Sequence, residues 1–361
     1  KNYFKKTIEF QPNFALAHFN LGNLQVEFKE YKEAKISYQK VIDLRPDFAS
    51  AYNNCGLLFR LTGDYENAVK FYKKTIEIDP KHAGAYNNLG RAYTELGDFK
   101  KAMHSHEMGT KLEPENLYHF FYLNELKNNY LDTKLITKIK KIIEKKDQSK
   151  INLVYGNFLK ARYENKKKNY KKEFEHLLLA HSNYFDHKKD KFELGLKYCF
   201  DDVLKISNNL SLNKSNAVEK NKLKPIFIVG VPRSGSTLVE KIIGSGKQNI
   251  AIGEETAILE NFINDKILEK QSTNLGEIDI IRKDLINQYE NKKLINKKNN
   301  FLFTDKSLNN FFYIGFIKDI FPEAKIINCK RNTLSSIISI LQNNLTELSW
   351  AHNLENIFKY F

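Results

Sequence analysis

Apolar positions in the first third of the chain recur at helical spacing, with Lys, Glu, Asn and Gln filling the opposite side of each segment. The pattern repeats with a fixed period. Prolines at 12, 46, 80 and 114 stand 34 residues apart, and Gly22, Gly56 and Gly90 recur in phase with them, as do Ala34, Ala68 and Ala102. Tyr52 and Tyr86, then Phe59 and Tyr93, hold matching aromatic places, and Gly63-Asp64 and Gly97-Asp98 mark turns inside the unit. Each unit therefore reads as two amphipathic helices, crossing closely where the residues are small. From Asn116 to about Ile206 helical periodicity continues in weaker form: Leu131 to Lys146 is amphipathic, Ile151 to His187 reads as a helical pair, and Tyr155-Gly156 echoes the start of a unit. This predicts an extension that continues the solenoid and caps it. Ser207 to Lys224, rich in Asn, Ser and Lys, predicts a linker or exposed loop.

At Pro225 the pattern changes. Ile226-Phe227-Ile228-Val229 is a continuous apolar run, as in a strand covered on both faces of a parallel sheet. A loop rich in Gly, Pro and Ser follows, then a helix from about Ser236 to Ile243. Phe301-Leu302-Phe303 and Ile326-Ile327 are strand-like, each followed by a helical stretch, Leu308 to Ile320 and Thr333 to Leu341. Strands alternating with helices predict an α/β domain with a parallel sheet. The expected boundaries are 1–115 for the repeats, 116–221 for the helical extension and linker, and 222–361 for the α/β domain.

The in-phase Pro, Gly, Ala and aromatic positions over about residues 14 to 115 resemble the tetratricopeptide repeat, in three units plus the remnant of another. That resemblance implies an α-helical solenoid whose concave face binds a peptide or protein.

In a chain of 361 residues with 42% hydrophobic and 28% charged residues, the composition is that of a globular protein, and no apolar run is long enough to span a membrane. The net charge of +15 is carried mostly by Lys and reads as solvated faces, since no nucleic-acid motif accompanies it. Arginine is confined to positions 45, 60, 91, 162, 233, 282 and 331, so where it appears is informative. Cys55, Cys199 and Cys329 have neither pairing nor metal-ligand spacing, which points to a reducing, cytoplasmic compartment. His104 and His106 lie in a repeat helix as packing or surface residues, and no metal is expected.

The segment from Gly230 to Leu238 joins the apolar strand to a helix, where backbone N–H groups and the helix dipole converge on an anion such as phosphate. It lacks the Lys that a nucleoside triphosphatase loop carries after its second Gly, because Ser236 stands there and the cation is Arg233. The string Arg233-Ser234-Gly235-Ser236-Thr237-Leu238 resembles the 5′-phosphosulfate loop of sulfotransferases, which use 3′-phosphoadenosine-5′-phosphosulfate (PAPS). In that family an Arg ending a later strand and a Ser eight residues on bind the 3′-phosphate, and Arg331 and Ser339 stand in that register. The resemblance further implies that Lys306, in Asp305-Lys306-Ser307, neutralises the departing phosphate. Gly253-Glu254-Glu255-Thr256 is similar to the string of tyrosylprotein sulfotransferases in which the second Glu is the base, which carries over to Glu255, with Glu254 as the alternative. Repeats fused to such a domain are themselves a bacterial family. This chain differs in having Ser236 for Thr, Asn332-Thr333 for Asp-Pro, and Gly246-Lys247 for His-Pro.

The expected architecture is thus an α-helical tetratricopeptide solenoid followed by an α/β P-loop-like sulfotransferase domain. The chain begins at Lys1 and ends 22 residues after Ser339, so the solenoid is expected to be missing its front, with any leader, and the domain to be incomplete at its C-terminus. The expected activity is PAPS-dependent sulfuryl transfer to a hydroxyl, with protein tyrosine as one acceptor, and no metal. Two rivals stand beside it. One is a tetratricopeptide scaffold with an inactive α/β domain; the other is a kinase or NTPase with Phe301 to Asp305 as its Walker B strand.

Overall fold

The computed structural model describes residues 1–28, 30–127, 130–213, 223–246, 250–295 and 302–361. Lys247 and Phe301, which enter two of the sequence readings above, lie outside the described residues, as do positions 214–222 of the expected linker. The chain divides into two compact units, Lys1–His176 and Leu177–Phe361.

In the first unit the period becomes helical hairpins: Ala15–Glu27 with Tyr31–Leu44, Ala49–Leu61 with Tyr65–Ile78, and Ala83–Glu95 with Phe99–Leu112. Each glycine of the period is an absent side chain into which a ring packs. A Cβ at Gly22 would lie 2.6 Å from the Tyr38 ring, one at Gly56 2.6 Å from Tyr72, and one at Gly90 2.6 Å from His106. Ala34, Ala68 and Ala102 are fully buried where the paired helices cross. Asp64 and Asp98 cap the second helix of their hairpins by accepting from the N–H groups of Asn67 and Lys101. The extension follows as Leu117–Leu126, Thr133–Ile143 and Lys150–Lys166.

The second unit carries two parallel sheets. One pairs β1 (Ser211–Asn213) with β3 (Asn274–Glu277), so part of the expected linker is a strand, with Leu212 against the core. The other contains β2 (Ile226–Val229), β4 (Thr304–Asp305) and β5 (Lys325–Asn328) in the order β4-β2-β5, all parallel. A parallel bridge from Ala251 to Phe303 lies beside β4. Leu308 to Ile320 begins as a 3₁₀ turn, Leu308–Tyr313, before the α-helix Ile314–Ile320, and Thr333–Leu341 is helical as its periodicity predicts. The core beneath the sheet gathers Phe227, Leu259, Ile263, Leu285, Tyr289, Phe303 and Ile317, all with essentially no exposure. Because β2 is central, with β4 on one side and β5 on the other, the crevice outside its carboxyl end is where ligands of open α/β sheets bind.

Candidate functional site

From the end of β2 the chain enters the loop 230–235. Its turn depends on two left-handed residues, Arg233 at φ +68° and Gly235 at φ +98°, and Gly235 is the N-cap of the helix Ser236–Gly244. Left-handed residues in such a turn bring successive N–H groups to one side, ahead of a helix N-terminus that favours negative charge. The Ser234 hydroxyl is buried and has no hydrogen-bond partner among the described residues. An acceptor or donor left this way costs about 1–3 kcal/mol, which an oxygen-rich ligand would offset.

The loop forms one wall of a cleft of about 700 Å³, to which Arg233, Gly235, Ser236, Thr237, Leu238, Glu255, Lys306 and Arg331 all contribute. Ser339 is absent from that lining but lies next to it, accepting from Arg233 Nε at 3.0 Å, while Arg331 Nη1 donates to the Arg233 carbonyl at 3.2 Å. Arg233 of the loop, Arg331 beyond β5 and the serine two turns into the helix Thr333–Leu341 therefore meet at one side of the cleft. At the other side Lys306 Nζ lies 2.7 Å from Glu255 Oε1. The lysine is 7% exposed, whereas the Glu255 side chain is 66% exposed, so the ammonium is enclosed by packing while the carboxylate stands largely in solvent.

The residue before Lys306 is anchored in the core. Asp305 is fully buried and accepts from Tyr289 Oη at 2.7 Å, from the N–H and hydroxyl of Ser307, and from Asn310 Nδ2 at 2.8 Å. Burial, reinforced by Asp305, pushes the Tyr289 phenol well above its ordinary pKa and keeps it a donor. Glu254 and Glu255 sit in the loop ahead of the helix Ile258–Lys270. That loop closes onto β4: Lys306 N–H donates to the Glu254 carbonyl at 2.9 Å, and a Cβ at Gly253 would run into the Thr304 carbonyl. Glycine at 253 is thus required by close approach.

Sequence reasoning missed two parts of the site. Asn344 to Leu348 complete the cleft wall, but they follow the last motif as an irregular loop, and only tertiary packing brings them there. Glu240 is buried on the helix after the loop 230–235; its signal was an acid among Leu238, Val239, Ile242 and Ile243. Among the described residues there is no cluster of three His, Cys, Asp or Glu suited to a metal, no helix is long and apolar enough to cross a membrane, and the three cysteines are free.

A parallel sheet with a glycine-capped loop at its central strand, a Lys–Glu pair opposite and two arginines beside them characterises the α/β unit of this chain. Residues 225–357 match the model of the sulfotransferase family, and residues 15–48 and 47–112 match tetratricopeptide-repeat models. The chain thus joins tetratricopeptide repeats to a sulfotransferase-family domain.

An uncharacterized protein of Aquifex aeolicus (strain VF5) is 31% identical over 133 residues, which cover 34% of this chain and 17% of that one. The chain therefore matches less than a fifth of that relative's length. Among solved structures, the TPR domain of Arabidopsis OM64 is 25% identical, covers 32% of this chain and 95% of its own, and has a TM-score of 0.31. The second TPR domain of human RPAP3, in complex with an HSP70 peptide, is also 25% identical, with 32% and 96% covered and a TM-score of 0.31. YrrB, a TPR protein with an unusual peptide-binding site, is 20% identical, with 51% and 93% covered and a TM-score of 0.35.

Proposed function

We propose that the chain binds PAPS in the cleft beyond β2 and transfers its sulfuryl group to an acceptor hydroxyl, a tyrosine phenol in a peptide or protein. The observation that carries this reading is the meeting of the loop 230–235, the Lys306–Glu255 pair and Arg331 around one cleft. The unpartnered Ser234 hydroxyl, the left-handed loop and the helix N-terminus fit a doubly anionic group. Arg233, Ser234, Ser236, Thr237 and the loop amides from Gly235 to Leu238 hold the 5′-phosphosulfate, and Arg331 with Ser339 holds the 3′-phosphate. When bound, PAPS supplies a sulfuryl group already joined to a good leaving phosphate.

Glu255, released from Lys306, accepts the acceptor's proton as the new O–S bond forms. Lys306, which follows the buried and hydrogen-bonded Asp305 in the chain, stabilises the negative charge left on the phosphate as the old S–O bond breaks. Leu238, Leu308, Leu345 and Leu348 in the cleft lining suit an aromatic acceptor better than a sugar. The repeats suit delivery of a peptide segment.

The test is to incubate the full chain with PAPS and a tyrosine-containing peptide and follow the peptide by mass spectrometry. A sulfate-sized gain on the phenol is expected. No gain, together with no saturable binding of 3′-phosphoadenosine-5′-phosphate, would leave the scaffold reading in its place.

A further inference from the structure

Glu240 is 2% exposed, in the second turn of the helix Ser236–Gly244 whose first turn lines the cleft. Its partners among the described residues are neutral. Oε1 accepts from the Thr304 hydroxyl at 2.6 Å and from the Glu254 N–H at 3.1 Å. The Thr304 oxygen accepts in turn from the Gly253 N–H at 2.9 Å. The directions are set by the chemistry: two N–H groups and one hydroxyl donate, and the chain of donors ends on a single carboxylate oxygen. Burying a carboxylate without a cation costs stability, so its presence needs a reason.

Glu254 supplies the reason. It is held at φ +53°, a left-handed conformation uncommon outside glycine. Such strain persists only where the surroundings over-determine it. Here Glu240 holds the N–H of Glu254 and Lys306 holds its carbonyl, so the strained residue is pinned on both sides and the next side chain, Glu255, is placed against Lys306 Nζ. We infer that Glu240 is a positioning residue: it fastens the loop carrying the base to the helix that carries the phosphate loop, so that donor and base are referred to one rigid element. This inference rests on the sulfotransferase reading for its catalytic consequence, but the hold itself can be tested without it.

Full-length wild type, Glu240→Ala, Glu240→Gln and the double variant Glu240→Ala/Glu254→Gly should be compared by amide hydrogen exchange over residues 253–257. The same proteins should be assayed for kcat and KM in transfer from PAPS to 4-nitrophenol. Glu240→Ala should exchange about five- to tenfold faster in that segment, the protection of roughly one hydrogen bond. Its kcat should fall by about 100-fold with the donor KM unchanged, the size of effect expected from a misplaced reacting group. Glu240→Gln, which keeps an acceptor oxygen, should stay near wild type in both readouts. Glycine at 254 adopts the left-handed turn without strain, so the double variant should recover about tenfold in kcat over Glu240→Ala.

Unchanged exchange in Glu240→Ala, or a lost kcat that glycine at 254 does not recover, overturns the inference. If wild type neither binds the bisphosphate nor transfers sulfate, the sulfotransferase reading fails while the exchange comparison still decides on Glu240. Should Glu240→Ala not fold, Thr304→Val removes the hydroxyl joining Gly253 to Glu240 and must speed the same exchange; if it does not, the inference falls.

Discussion

Arg331 and Ser339 are eight residues apart in sequence, and both reach Arg233, one through its carbonyl and the other through its Nε. In the proposed function a guanidinium at that point is a forked, charge-assisted clamp for the 3′-phosphate. Arg331→Ala should therefore weaken binding of 3′-phosphoadenosine-5′-phosphate by about 2 to 4 kcal/mol in calorimetry. Adenosine 5′-phosphosulfate, which lacks the 3′-phosphate, should bind variant and wild type alike; an equal loss for both ligands would remove the assignment. Glu255→Gln keeps size and hydrogen-bonding shape but cannot take a proton, so turnover should fall about 100-fold or more with donor affinity nearly unchanged. Glu254→Gln should be milder, because its side chain is not in the cleft lining. Residues that carry charge in a motif were legible from the sequence. Glu240 and Asn344 to Leu348 were not, because a buried acid and an irregular loop acquire meaning only from what packs against them.

At the level of elements, periodicity did most of the work. The 34-residue spacing places a ring against each glycine, and His106 stands where Tyr38 and Tyr72 stand in the earlier hairpins. Burial, with His119 and Arg91 adding to it, pushes the His106 imidazole down from about 6.5 to about 3. The unfolded chain takes up this proton below about pH 6.5 and the folded chain does not until near pH 3, so folding stability drops as pH falls through that window, by up to about 1.4 kcal/mol per pH unit. His106→Tyr fits the in-phase site and should remove that dependence. Its thermal unfolding temperature should exceed that of wild type by more at pH 5 than at pH 7; a constant difference would show that His106 is not the sensor. In the α/β unit, Gly235 caps a helix at φ +98°. Gly235→Val should abolish binding of the bisphosphate while circular dichroism still reports the helices of the repeats. Short strands were harder to read than helices: β4 is two residues long, and Ser211–Asn213 pairs with β3 inside a stretch whose composition reads as a loop.

For the molecule as a whole, the chain folds as two compact units: a period of small and aromatic residues builds the first, and a switch to apolar strands at Pro225 opens the sheet of the second. The division between them is not written in the sequence as a sharp change, since helical periodicity runs through His176 and on to Asn209. We propose that the cleft beyond β2 is built for a nucleotide bearing both a 5′-phosphosulfate and a 3′-phosphate. The most direct measurement is calorimetric titration of the full chain with 3′-phosphoadenosine-5′-phosphate and, separately, with ATP and magnesium. Saturable binding of the bisphosphate, tighter than that of ATP and lost in Arg331→Ala, is the predicted result; preference for ATP with magnesium, or no saturable binding of either, would contradict it.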